Sequence, residues 1–92
     1  MVEMIDTAAE LQADNPQHRA IDVGVFADAL EIYREASANI RANGAIVSHP
    51  RTGAPIENPY LRVQTAKGAV LAKMRGIKCD RVIELLDAQV AI

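Results

Sequence analysis

Large aromatic anchors are nearly missing from this chain of 92 residues, which has no Trp, one Phe and two Tyr. That scarcity excludes a platform that stacks unpaired bases on rings. The single cysteine, Cys79, cannot close an internal disulfide. With no second cysteine or histidine beside it in sequence, it supports neither a zinc site nor a thiol nucleophile. The phosphate-cradling pattern G-x-x-x-x-G-K-[ST] is absent, which excludes the usual ATP-hydrolysing loop. No signal peptide and no long apolar run is visible, so no membrane span is expected and the chain is placed in a reducing cytoplasm. Repeats and low-complexity segments are also absent. Asp and Glu fall at helical spacings of three and four, as on a solvated face. The expectation is a protein without catalysis, cofactor or metal. An enzyme would need His18 or His49 to converge with carboxylates, whereas both read more simply as solvated loop and turn residues.

A chain this short makes one domain and buries only about 60–65% of its unfolded surface. Half of its residues are apolar, but many are Ala. A helical chain with so few large side chains often completes its core against other subunits, which hints at a homo-oligomer. The net charge of −2 argues against affinity for nucleic acid over the whole surface. Charge is unevenly placed, however: residues 1–44 carry eight acids and three bases, residues 45–92 four acids and seven bases. An acidic half joined to a basic half suits subunits that contact one another and meet a polyanion on the basic side. Chance gives the same asymmetry when the totals are this small.

The pattern is mainly α, with three to four helices and a short β-hairpin between the second and third. A first helix is expected over residues 1–14, with Met4, Ile5, Ala8, Ala9 and Leu11 near one face. Asp14-Asn15-Pro16 ends it, because the residue before Pro avoids the helical region. A second helix over 22–43 is capped by Asp22. Phe26, Leu30, Tyr33, Ser37 and Ile40 form one seam, and Val25, Ala29, Ile32 and Ala36 a second beside it. The combined arc of roughly 160° is wider than one partner helix covers, so a neighbour from another subunit is expected on the second seam.

The chain is organised around the stretch 44–76. Asn43-Gly44 ends a helix through a residue that tolerates positive φ. The hairpin spans 45–57, turning at Pro50-Arg51-Thr52-Gly53. Pro55 lacks an N–H, so the return arm can only be an edge. Asn58-Pro59 starts the third helix, the Asn accepting from an orphan N–H and Pro filling the first helical position. That helix runs over 59–75, with Val63, Ala66, Val70 and Met74 in a large-residue stripe assigned to the core. Leu61, Thr65, Gly68 and Ala72 form a small-residue stripe, assigned to a neighbouring subunit or to the second helix. Gly68 in mid-helix costs about 1 kcal/mol relative to Ala, which calls for a packing reason. Gly76 is the stop, and a last helix over 80–90 carries Val82, Ile83, Leu85, Leu86 and Val90 on its apolar side.

A helix ending in I-x-x-N-G, a hairpin reading G-x-P-x-x-N-P and a helix closing at M-R-G-I resemble, in that order, the small terminase subunits of tailed bacteriophages. The likeness covers roughly residues 21–85. Family members more often read G-L-T-P-x-x-R where this chain has Gly76-Ile77-Lys78-Cys79-Asp80-Arg81, so the Pro and the hydroxyl cap are missing here. They also commonly continue into a C-terminal tail that reaches the large subunit or DNA, whereas this sequence ends at Ile92. The resemblance implies a non-catalytic ring of identical subunits encoded by a phage or prophage and working in the bacterial cytoplasm. Such a ring binds double-stranded viral DNA and delivers it to a large subunit carrying ATPase and nuclease activity. The basic set offered to DNA is Arg51, Arg62, Lys67, Lys73, Arg75, Lys78 and Arg81. The oligomer contacts are Leu61, Thr65, Gly68, Ala72, Val25, Ala29, Ile32 and Ala36, on a frame set by Gly44, Gly53, Pro55, Asn58, Pro59 and Gly76. A small helical interaction module without DNA affinity, of scaffold or antitoxin-like kind, fits the acidic first half and the Ala-rich seams equally well. Ring size and DNA sequence preference are not legible.

Overall fold

The computed structural model describes residues 4–90. The chain is mainly helical: α1 (Thr7–Asp14), α2 (Ala20–Asn43), β1 (Ile46–Ser48), β2 (Pro55–Glu57), α3 (Tyr60–Lys73) and α4 (Asp80–Val90). The two strands pair antiparallel between the second and third helices, Val47 opposite Ile56. By its internal contacts the chain divides into two compact units. One joins residues up to Asp28 with those from Met74 onward; the other is Ala29–Lys73.

In the first unit α1 begins at Thr7, later than the expected residue 1; residues 1–3 lie outside the described part. The Asp6 carboxylate accepts from the N–H of Ala9 and so fixes the start, as an N-cap does. Met4, expected on the apolar face, precedes the helix and is 90% exposed. The second helix also begins elsewhere than expected. It starts at Ala20, so Asp22 stands in the first turn rather than at the cap, where it pairs with Arg19.

Leu11, Val23, Phe26, Ile77 and Val82 are the buried large residues here. Fully buried Asn15 ties the α1 end to the approach of α4. Its amide donates to the carbonyls of Leu11 and Lys78, and its carbonyl oxygen accepts from the Lys78 N–H at 2.7 Å. Every polar atom of that side chain is therefore used, which is the condition for burying it. The Val90 side chain, expected on the α4 apolar face, is outside the description.

In the second unit the hairpin and the start of α3 are held by local chemistry. Gly44 and Gly53 take φ of +87° and +73°, a region that penalises side chains with a Cβ. At the turn the His49 Nδ1 accepts from the backbone N–H groups of Arg51 and Thr52. Buried Asn58 accepts from the Tyr60 N–H through its side-chain oxygen. Its amide donates to Asn39 of α2 and to the Gly44 carbonyl. One side chain thus caps α3 and fastens it to the end of α2. α3 stops at Lys73 instead of residue 75, and Gly76 does not adopt the left-handed conformation of a helix-ending glycine. Gly76 belongs to the first unit, where a Cβ on it would meet only ordinary contact, 3.8 Å from the His18 ring.

Candidate nucleic-acid interface

From Asn58 to Cys79 the chain contains no Asp or Glu, between Glu57 and Asp80, while Arg62, Lys67, Lys73, Arg75 and Lys78 fall inside it. α3 takes up most of that stretch. Its covered side holds Leu61, Gln64, Gly68 and Leu71, which recur at helical spacing and are half-buried. Gln64 donates to the Ser37 hydroxyl of α2. A Cβ built on Gly68 would lie 3.2 Å from Cε2 of Tyr33, so the missing side chain is the space in which the Tyr33 ring sits.

Of the two partners expected for the small-residue stripe, Gly68 meets the second helix, whereas the large-residue stripe is not a buried core face. The face of α3 against its own chain is centred on Leu61, Gly68 and the unassigned Leu71, and no α3 residue is fully buried. Leu61 and Gly68 are therefore contacts within the chain. Ala66, placed in the core by its spacing, is exposed, while Val63, Val70 and Met74 are half-covered. Among the small-residue stripe only Thr65 and Ala72 remain open to a partner.

The second seam of α2 splits in the same way. Ala29 and Ala36 are 3% and 0% exposed and are closed off inside the chain, whereas Val25 and Ile32 are 45% and 37% exposed. A 100° step per residue explains the split: Ala29 and Ala36 lie toward the Phe26–Leu30 side, Val25 and Ile32 away from it.

The outward face of α3 carries Arg62, Thr65, Ala66, Ala69, Ala72 and Lys73. Two cations stand on it some eleven residues apart, about 16 Å along the axis at 1.5 Å per residue. Methyl groups and one hydroxyl lie between them, so nothing bulky holds a partner away. Lys67 is half-buried on the flank, and Arg51 is exposed at the hairpin tip. In the other unit Arg75 and Lys78 are exposed.

Arg81 departs from the basic set. Its guanidinium donates to both carboxylate oxygens of Asp14, to the Glu10 carboxylate at 2.7 Å and to the Glu10 carbonyl. The Asp14 bond, then that to Glu10, holds its pKa above the ordinary arginine value. A cation already facing two carboxylates has little field left for a phosphate. Its role is to clamp α4 to α1.

Among the described residues no cluster of His, Cys, Asp and Glu could hold a metal ion. Cys79 is partly buried, and burial, with help from Asp80, pushes its thiol above the ordinary range. That is the opposite of an activated thiol. No helix among the described residues is long and apolar enough to cross a membrane.

An open groove of about 730 Å³ lies in the second unit, lined by Asn39, Ile46, Ser48, Pro55, Pro59 and Tyr60 among others. Its lining carries no formal charge. Comparison with known protein families, curated proteins and solved structures returns no match.

Proposed function

We propose that this protein is a non-catalytic DNA-binding subunit of the small-terminase kind, a homo-oligomer that recruits viral DNA to a large ATPase and nuclease subunit. The observation that carries the reading is the α3 surface: an acid-free stretch whose outward face presents Arg62 and Lys73 across a strip of small residues. Cations on such a face contact phosphates and release counterions, giving affinity that falls with salt. Several copies in one assembly, a ring in the form the resemblance implies, turn weak sites into useful avidity. Catalysis belongs to the partner, and this chain acts by binding alone, in the cytoplasm of a bacterium carrying the phage or prophage.

A second reading has its own observation. α2 leaves Ile21, Val25 and Ile32 exposed, which suits a helical module that binds another protein and no DNA. A native gel separates the two. Retardation of a duplex at low salt, lost as salt rises, supports the DNA-packaging reading. An unretarded duplex at every salt concentration overturns it and leaves the interaction module.

A further inference from the structure

The hairpin has one blunted edge and one open edge. Asn58 N–H donates to Ala45 and His49 N–H to Ala54, and Val47 stands opposite Ile56. Bonded and non-bonded pairs alternate in an antiparallel ladder. Val47 therefore turns its N–H and C=O toward β2, and Ile46 and Ser48 turn theirs away. On the far side of β2 the outward residues are Pro55 and Glu57. A missing N–H and a charge are two devices that protect an edge. β1 has neither. Ile46 is 62% exposed, Ser48 is exposed as well, and no Asp, Glu, Lys or Arg occurs from Ala45 to His49.

We propose that the β1 edge pairs with the β1 edge of a second copy of this chain, antiparallel about a two-fold axis at Val47. In that register the Ile46 N–H donates to the Ser48 carbonyl of the other copy, and the Ser48 N–H to its Ile46 carbonyl. Symmetry doubles these to four bonds. An isologous contact sets each residue against a near copy of itself, so a charge on the strand would meet its like. The uncharged β1 edge satisfies that condition, and an edge bearing Glu57 does not. A head-to-tail contact of β1 on the β2 of a second copy would keep only three of four bonds, because Pro55 has no donor. The paired hairpins make one four-stranded sheet with Ile46 covered near its centre. The contact is small beside a standard interface, so the dimer forms reversibly. The proposal does not depend on α3 binding DNA.

The test is light scattering over a concentration series, with hydrogen exchange at the Ile46 and Ser48 amides. The expected result is a mass rising with concentration from the 10.0 kDa chain to twice that value or a larger even multiple of it, with protection of both amides rising in step. Ser48→Pro removes two of the four donors, and Ile46→Lys sets like charges beside the axis. Each moves the dissociation midpoint at least about tenfold higher, the loss of roughly one net hydrogen bond or more, with circular dichroism unchanged. Ile46→Lys leaves the backbone donors in place and decides the matter if the proline variant does not fold. A monomer at every concentration overturns the proposal, and so does an oligomer of any size that Ile46→Lys leaves intact.

Discussion

Replacing Asn58 by Ala and by Asp separates two jobs that one side chain performs. The alanine loses the cap on α3, worth about 1 kcal/mol. It also loses the two donations to Asn39 and Gly44, each worth about 1 kcal/mol net. Because Gly44 is exposed and Asn39 only half-buried, water recovers part of this, leaving about 2–3 kcal/mol, or roughly 10–20 °C in Tm for a domain of this size. The aspartate keeps the acceptor for the Tyr60 N–H and adds a favourable charge at the helix start. It also aims a carboxylate at two carbonyl oxygens, so it costs at least as much as the two lost donations, about 2 kcal/mol.

The aspartate defect also depends on pH. A buried carboxylate facing carbonyl oxygens has a folded pKa above its unfolded value near about 3.9. The ionised form is then the costly one. The defect is complete above the folded pKa and shrinks as pH falls through it, when a protonated carboxyl donates again. Urea unfolding followed by far-ultraviolet circular dichroism near neutral pH and near pH 4.5, each variant against wild type, measures both effects. Wild-type stability for Asn58→Asp with a loss of only about 1 kcal/mol for Asn58→Ala would refute the reasoning and reduce Asn58 to a cap.

Other variants probe the two units separately. Gly68→Ala is close to neutral, because about 1 kcal/mol of helix propensity offsets the tight approach to Tyr33. Gly68→Leu costs about 1–3 kcal/mol by overpacking, and Tyr33→Ala relieves most of that loss in a double-mutant cycle of thermal melts. Asn15→Ala strands three backbone groups of the first unit and costs about 2–4 kcal/mol, read as a lower urea midpoint with an unchanged slope. Cys79 reacts with a maleimide at neutral pH more slowly than a free thiol reagent does. The rate climbs as pH rises into the alkaline range, since its raised pKa keeps the thiolate scarce; a rate equal to the free thiol at neutral pH contradicts the burial.

The parts of the fold that sequence made legible are those set by neighbours in the chain. Gly44, Gly53 and the Asn58-Pro59 start each follow from what one or two residues can do with their own backbone. Contacts between distant residues were not legible. Arg81 meets Asp14 and Glu10 from 67 and 71 residues away, and Asn15 meets Lys78 across 63, distances at which spacing carries no signal. The α3 stripes are legible only in part for a related reason. Spacing alone marks the large side chains as the core face, yet the helix turns Gly68 inward because the Tyr33 ring fills the space a side chain would occupy. Leu71, near the middle of that face, belonged to neither stripe. The bounds of α1 shifted because Asp6 supplies a cap that the apolar pattern of Met4 and Ile5 had hidden. For the candidate site, the basic set was visible as composition, but which cations stay free of carboxylates needed the folded chain.

The central claim is that α3 offers its outward cations to DNA phosphates. The most direct test is fluorescence anisotropy of a labelled duplex titrated at several salt concentrations with wild type, the Arg62→Ala/Lys73→Ala double variant and Arg81→Ala. The account predicts that the double variant flattens the plot of log K against log salt by about 2 for each subunit engaged with the duplex, at roughly 0.9 per phosphate contact, while Arg81→Ala leaves the slope as it was. An unchanged slope in the double variant, or an equal loss in Arg81→Ala, would contradict it.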